Sequence, residues 1–456
     1  MNLGETICAL STPAGSGAIA IVRISGSKAL SIVNEIFSGN LEEIPSHKAT
    51  FGVIKNESIQ LDEVVVITYK DGRSYTGEDL VEINCHGSSY IIQEIMKLLI
   101  KKGCRTATPG EFTQRAFLNG KLDLSQAEAV GDLIASKSAK AHQIAMNQMR
   151  GGVSNEIAEL REQLLHFASM MELELDFGEE DVEFADRTQF KQLLTEIKSK
   201  IQHLIDSFAY GNAIKKGVPV AIVGAPNVGK STLLNRLLKE EKAIVSNIAG
   251  TTRDTIEDEI NINGITFRFI DTAGLRKTND QIESMGIERS YKKANEAQII
   301  LFLIDERDVE LDIPDLIEEF GKNIKRDDIE VITVLNKSDA LTKKQLLFLN
   351  EHPGIVQISA KENQNIDELL KRLVQTVEDL KMGDDSVVIS NLRHYESLMY
   401  AMEGVERIEE GFEVELSSDL IAMDIRQISH HLGEITGKIS TDDILGNIFA
   451  NFCIGK

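Results

Sequence analysis

The chain has 456 residues, 42% of them hydrophobic, which is too long for one ordinary domain and apolar enough for about three packed cores. A formal net charge of −23 argues against a protein that coats nucleic acid by neutralising phosphates, while leaving room for a local basic patch or an assisting partner. No apolar run approaches about 18 residues and no basic segment followed by an apolar stretch opens the chain, so no membrane span is expected and a cytoplasmic location is. Cys8, Cys85, Cys104 and Cys453 form no C-x-x-C pair, which argues against a disulfide framework or zinc site and leaves free thiols as the expectation.

In chain order, residues 1 to about 118 mix β-rich runs at 18–24 and 63–68 with a helical segment at 89–101, the pattern of a compact α+β domain. Within it Gly15-Ser16-Gly17-Ala18-Ile19-Ala20 fits G-x-G-x-x-A. That fingerprint needs a strand before and a helix after, whereas Ser11-Thr12-Pro13-Ala14 precedes it and a β-like run follows, so it reads as a turn entering a strand. From roughly 121 to 210 the spacing becomes helical, in Ile157-Leu160-Leu164 and Phe190-Leu193-Leu194-Ile197-Ile201-Ile205, with no proline. The acidic stretch 172–183 lacks a calcium-loop spacing and reads as a solvated helix end and loop. Strands and helices alternate from about 216 to 379, and helical character returns from Leu392, notably through Leu420-Ile421-Ile425-Ile428-Leu432-Ile435. The alternating segment is thus expected as a domain inserted within a helical one, with two separate helical domains as the alternative.

Gly224-Ala225-Pro226-Asn227-Val228-Gly229-Lys230-Ser231 follows the apolar run 218–223 and opens a helical pattern at Thr232. In that context the glycines let backbone N–H groups cradle phosphates, Lys230 supplies a point charge and the Ser231 hydroxyl suits Mg²⁺. The strand-like run 267–270 then delivers Asp271-Thr272-Ala273-Gly274, with a carboxylate for the magnesium shell and a glycine amide for the terminal phosphate. The run 331–335 delivers Asn336-Lys337-Ser338-Asp339, and Ser359-Ala360-Lys361 follows a further strand. The Asp339 carboxylate can accept from the guanine ring N–H and exocyclic amine, a discrimination against adenine worth roughly 10⁴ to 10⁵. Each tetrapeptide is weak alone; their order and strand context together point to a GTP site.

Leu275 stands where many switch GTPases have a water-orienting glutamine, so another group must take that task. Asp280 and Glu283 are candidates, although from the residues alone helix-capping charge is the plainer reading of both. The counter-charge for the transferring phosphoryl group comes from Arg253, from Arg276, or from a monovalent cation held by Asn227 and carbonyls of the segment 246–254, where Thr252 can add a hydroxyl to Mg²⁺. Asn227 reads equally as a loop-forming residue.

With those residues in place, essentially the whole chain resembles the TrmE, or MnmE, family of tRNA-modification GTPases. The resemblance rests on Thr12-Pro13-Ala14-Gly15, Val22-Arg23-Ile24-Ser25-Gly26, Tyr75-Thr76-Gly77-Glu78-Asp79, Pro109-Gly110-Glu111-Phe112-Thr113 and 115–121, and on the tail Phe452-Cys453-Ile454-Gly455-Lys456, its most specific part. One departure is Cys85-His86-Gly87-Ser88-Ser89, where the family commonly has His-Gly-Gly. The resemblance implies a multidomain α/β protein: a folate-binding and dimerising α+β domain at 1–120, a helical domain in two parts at 121–215 and 380–456, and an inserted Ras-like G domain at 216–379.

It also implies potassium-stimulated GTP hydrolysis, with Glu283 as the catalytic glutamate, Ser231 and Thr252 on Mg²⁺, and Asn227, Ser246, Ile248 and Thr251 on K⁺. The nucleotide would be lined by 227–232, by Ser246, Asn247, Ile248, Ala249, Gly250, Thr251 and Thr252, by 271–274, and by Asn336, Lys337, Asp339, Ser359, Ala360 and Lys361. Arg23, Glu82, Lys121 and Lys456 match residues that bind a formylated tetrahydrofolate, with Cys453 near the one-carbon unit as nucleophile or proton carrier. A homodimer working in a heterotetramer with the FAD-dependent partner MnmG (GidA) would modify C5 of the wobble uridine of certain tRNAs. A ribosome-assembly GTPase switch explains the G domain but not the tail, and a folate-dependent methyltransferase would act without a flavoprotein.

Overall fold

A computed structural model describes residues 4–57, 59–176, 187–241, 258–270, 295–306, 318, 320–322, 324, 326, 329–342, 345, 349, 352, 354–381, 387–414, 416–439, 442–450 and 452–455. The elements begin with β1 (Ile7–Leu10), β2 (Ile19–Ser25), α1 (Ala29–Asn34), β3 (Lys48–Asn56), β4 (Ile59–Tyr69), β5 (Leu80–His86), α2 (Ser89–Lys101), β6 (Arg105–Thr106), α3 (Glu111–Leu118) and α4 (Leu124–Ala135). There follow α5 (Ala139–Met149), α6 (Gly152–Asp176), α7 (Arg187–Lys216), β7 (Val218–Gly224), α8 (Lys230–Glu241), β8 (Asp258–Ile262), β9 (Ile265–Phe269) and β10 (Ile299–Ile304). The last are β11 (Glu330–Leu335), β12 (Val356–Gln357), α9 (Ile366–Glu378), α10 (Leu392–Glu413), α11 (Ser418–Thr436) and α12 (Asp442–Ala450). They form two compact units, one of Met1–Ile134, Met146–Ile197 and Tyr400–Lys456, the other of Ala135–Ala145 and Lys198–Met399.

The first unit holds a six-stranded sheet in the order β3-β4-β5-β2-β1-β6, antiparallel except for the β1–β6 pair. Strand β4 shows why it forms: Asp62, Val64, Val66 and Thr68 are buried while Glu63 and Val65 are exposed, the two-residue period of a strand with one covered face. Helix α2 buries Ile92, Ile95, Leu98 and Leu99 in the same core as Val22, Ile24, Val66 and Ile83. The G-x-G-x-x-A stretch runs into β2 at Ile19, as a turn entering a strand. In the helical part, α6 buries Ile157, Leu160 and Leu164, and α11 buries Ile421, Ile425, Ile428, Leu432 and Ile435. Arg161 on α6 donates from Nε to the Ser429 carbonyl of α11 at 2.9 Å. Beyond Asp176 the acidic stretch lies outside the described residues through 183.

The second unit is built on a sheet in the order β12-β11-β10-β7-β9-β8, parallel throughout except for the β8–β9 hairpin. Central strand β10 is buried along nearly its whole length, as a parallel strand covered on both faces must be. Helix α9 lays Ile366, Leu369, Leu373 and Val377 on this core, the i, i+3, i+7 stripe of an amphipathic helix. Strand β7 lies where the order reverses, between β10 and β9. In open α/β sheets ligands bind at that switch point, off the carboxyl ends of the strands. Among the described residues no helix is long and apolar enough to cross a membrane.

Candidate functional site

The carboxyl end of β7 turns sharply into α8 through Gly224–Gly229. A Cβ on Gly224 would stand 2.3 Å from the Leu303 carbonyl oxygen of β10, so only glycine lets the loop leave the sheet here. Gly229 has φ +99°, and a Cβ there would stand 2.2 Å from Asn336 Nδ2. Leu233 N–H donates to the Gly229 carbonyl at 2.9 Å, starting the helix and leaving its first amides directed at the loop. The Lys230 ammonium folds back over the concavity, donating to the Gly224 and Ala225 carbonyls at 2.7 and 2.9 Å. Burial lowers its pKa. Amides, an ammonium and the Ser231 and Thr232 hydroxyls at a helix N-terminus are a chemical fit for a nucleotide polyphosphate. Asn227 is exposed with φ +66°, a conformation that serves the turn and leaves its carboxamide toward solvent.

Asn336 ties three loops together. Its buried carboxamide donates to the Val228 carbonyl at 2.7 Å and accepts from Ala360 N–H at 3.0 Å, while its own N–H donates to Ile304 O at 2.8 Å. The loop after β7 is thereby fixed to the loops after β11 and β12, the ones expected to read the base. Asp339 is exposed, and its carboxyl is held below the usual carboxylate range, first by a hydrogen bond from the Ser359 hydroxyl and further by Lys361 and Lys337. It is an acceptor, as recognition of two guanine N–H groups requires. Lys361 is exposed beside it.

Two residues here belong to none of the motifs. Arg236 of α8 donates to the Ala360 and Lys361 carbonyls at 3.3 and 3.1 Å, holding the base-reading loop from below. Asp305, fully buried at the end of β10, pairs with Lys337 Nζ at 2.7 Å. Ser246, Asn247, Ile248, Ala249, Gly250, Thr251, Thr252, Arg253, Asp271, Thr272, Ala273, Gly274, Leu275, Arg276, Asp280 and Glu283 lie outside the described residues, as does Lys456. Among the described residues no cluster of three His, Cys, Asp or Glu side chains is placed to hold a metal ion.

A second constellation lies in the first unit. Arg23 of β2 and Glu82 of β5 face each other in register, and Arg23 Nε and Nη2 donate to Glu82 Oε1 at 2.9 and 2.8 Å. The guanidinium sits 5.6 and 5.7 Å from the ring centres of Tyr75 and Phe112. Tyr69 donates its hydroxyl to Glu82 Oε2 at 3.2 Å. The chain's last described residue closes over the pair: the Gly455 carbonyl accepts from Ser11 Oγ at 3.0 Å and from Arg23 Nη1 at 3.5 Å. Gly455 has φ +98°, and a Cβ there would stand 2.2 Å from the Leu10 carbonyl oxygen. Lys121 is exposed and packs its stem by Gly77. Cys453 is an exposed free thiol whose carbonyl accepts from Gly110 N–H at 3.4 Å; Cys8, Cys85 and Cys104 are buried free thiols.

Beneath this site runs a buried ion network. Arg115 donates to both Glu78 oxygens at 3.1 and 2.9 Å, to Glu111 at 3.0 Å and to the Glu5 carbonyl at 2.9 Å. Burial alone would raise the Glu111 carboxyl, but hydrogen bonds from Arg105, Thr108 and Arg115 carry it down to about 2. The departure at Ser88 is harmless in this fold. Ser88 stands at the N-terminal boundary of α2 without a side-chain capping hydrogen bond and with φ −84°, which any residue adopts, whereas Gly87 is required because a Cβ there would stand 2.5 Å from the Gly17 carbonyl oxygen.

A family profile described as the GTP-binding protein TrmE N-terminus matches residues 6–121, and one described as the MnmE helical domain matches residues 124–453. The tRNA modification GTPase MnmE of Flavobacterium johnsoniae is 52% identical to this chain, covering 99% of both. That of Christiangramia forsetii is 51% identical and covers 100% of both. A solved structure of Aquifex aeolicus Era bound to GDP.AlF4- is 33% identical over 41% of this chain and 66% of that one, with a TM-score of 0.26, too low to speak for the fold. With both profiles matched and relatives aligned from end to end around an assembled guanine-nucleotide site, the chain belongs to the MnmE family of tRNA modification GTPases.

Proposed function

We propose that this GTPase is potassium-stimulated and works with an FAD-dependent partner of the MnmG (GidA) kind. The pair adds an aminomethyl or carboxymethylaminomethyl group to C5 of the wobble uridine of certain tRNAs in the cytoplasm. A formylated or related tetrahydrofolate supplies the one-carbon unit when bound. The proposed organisation keeps residues 1–120 for folate binding and dimerisation, 121–215 and 380–456 for the helical domain, and 216–379 for GTP. Within the G domain, Ser231 and Thr252 are the proposed Mg²⁺ ligands, Asn227, Ser246, Ile248 and Thr251 the K⁺ ligands, and Glu283 the residue that orients water.

The observation that supports the folate reading is the meeting of the Gly455 carbonyl with Ser11 and Arg23, the residue paired with Glu82, two positions along the chain from Cys453. The donor set fits a pterin. Glu82, which accepts two N–H bonds from Arg23 on Oε1 and the Tyr69 hydroxyl on Oε2, keeps one acceptor position for a ring N–H or amine, and the half-buried Tyr75 offers an apolar face. Arg23 is engaged by Glu82, so its part is to orient that carboxylate, leaving Lys121 and Lys456 for the glutamyl carboxylates.

The test is mass spectrometry of tRNA nucleosides from cells lacking the chain, compared with cells re-expressing it or its Cys453→Ser form. Loss of C5-modified wobble uridine, restored by the intact chain, is expected, and restoration only by the intact chain makes the thiol chemically necessary. Unchanged nucleosides in the deletion overturn the modification reading in favour of a ribosome-assembly switch. Calorimetry with 5-formyltetrahydrofolate is the direct check on the site: binding that survives Glu82→Gln at full affinity removes Glu82 from it.

A further inference from the structure

We infer that Asp305 is a positioning residue for guanine recognition, acting through Lys337. It follows β10 directly, and the β10–β11 register sets Ile304 opposite Leu335, so Asp305 lies beside the start of the base-reading loop. Its side chain is 0% exposed. A carboxylate so placed costs several kcal/mol unless paired and hydrogen-bonded, so the lysine that reaches it is held strongly. Lys337 reaches it because its backbone is left-handed, φ +61° and ψ 37°, which turns the side chain back toward the sheet; Ser338 then starts a short 3₁₀ turn that presents Asp339.

The consequence reverses the usual behaviour of lysine, which covers apolar surface with its stem and sends the ammonium to water. Here the ammonium is tied to a buried carboxylate at 2.7 Å, and a side chain still about one-third exposed (34%) is anchored at both ends. Its four methylenes form a fixed apolar bar two residues from the carboxylate that reads the guanine edge. A planar purine needs both a polar edge contact and a flat apolar contact, and a bar that does not swing provides the second without an ordering cost at binding. Asp305 touches no nucleotide itself; it removes the freedom of a side chain that does.

The test uses the full-length chain and a fluorescent N-methylanthraniloyl GDP in the presence of Mg²⁺, with the folded fraction of each preparation fixed by active-site titration. Asp305→Asn is expected to weaken binding about tenfold, as loss of a charge-assisted anchor should. Lys337→Met keeps most of the stem but removes the anchored head, so adding Asp305→Asn to it should change affinity by less than about twofold. An equal loss in both backgrounds shows that Asp305 does not act through Lys337 and overturns the inference. A purely structural role lowers the melting temperature of the nucleotide-free protein while the folded fraction binds as tightly as the parent, which also overturns it. Should either single variant fail to fold, the double variant leaves no unpaired buried charge and stands alone: parental affinity there refutes the anchor, and about tenfold weaker binding supports it.

Discussion

Substituting Gly229 by Ala tests how the phosphate loop is held. A side chain at φ +99° costs about 1–2 kcal/mol in the left-handed region. The new methyl would stand 2.2 Å from Asn336 Nδ2, a short side chain held at both ends, so the carboxamide must leave the Val228 carbonyl it now meets at 2.7 Å. A buried carbonyl without its donor costs about 1–3 kcal/mol. The nucleotide-free loop can relax, but binding restores the strained shape, so the sum of about 2–5 kcal/mol falls on affinity and weakens nucleotide binding roughly 30- to 4,000-fold. Titration with the same fluorescent GDP measures it. In an Asn336→Ala background the methyl meets no carboxamide, so Gly229→Ala should cost only the backbone strain, roughly 5- to 30-fold. Affinity within about threefold of the parent for the single variant would refute the assignment of Gly229 and Asn336 as one packed unit.

Asp339→Asn replaces an acceptor by a group that donates, so GTP hydrolysis at low substrate should fall by roughly 10² or more while xanthosine triphosphate becomes a substrate; an unchanged GTP preference removes Asp339 from base selection. Equal GTPase rates in potassium and sodium chloride at matched ionic strength would sink the proposed cation. In the folded protein the hydrogen bonds from Arg105, Thr108 and Arg115 hold the Glu111 carboxyl down to about 2, against an ordinary 4.5. Because the folded value is depressed, its contribution of about 3 kcal/mol is present above the ordinary value and is lost as pH falls from about 5 to 2. Glu111→Gln should therefore unfold at a less acid-dependent midpoint in urea melts between neutral pH and pH 3, and an identical acid limb would count against the network.

The β-rich run of β4, the stripe of α11 and the strand–loop–helix around Lys230 were legible in the sequence because each is a local run, a local period or a short motif with local causes, whereas the alternating burial of β4 is not written in its consecutive apolar residues 64–67. The exposed loop that carries Asp339, expected to read the base, was legible for the same reason, as a short motif directly after a strand. What sequence could not supply is contact across distance. Val228 and Asn336 are 108 positions apart and Ser11 and Gly455 are 444, and nothing in either segment names its partner. Asp305 was missed because an aspartate after an apolar run reads as an ordinary strand end until Lys337 is seen folding back onto it. That Arg23 and Glu82 face each other, with Glu82 taking two of the Arg23 donors, is likewise set by sheet register and not by either segment alone.

The β8–β9 hairpin connects the segments expected to sense the nucleotide, 246–254 before it and 271–283 after it. Its sides and tip are pinned to residues 137–140: Lys137 Nζ meets both Glu259 oxygens at 2.9 and 2.8 Å, Asn261 donates to the Lys137 carbonyl, and Lys140 N–H donates to the Gly264 carbonyl. Those residues belong to the stretch 135–145, whose flanking residues 134 and 146 are both part of the other compact unit. A displacement of the hairpin therefore acts directly on residues 137–140, held in part by hydrogen bonds to backbone carbonyls and in part by the exposed Lys137–Glu259 pair, which salt screens.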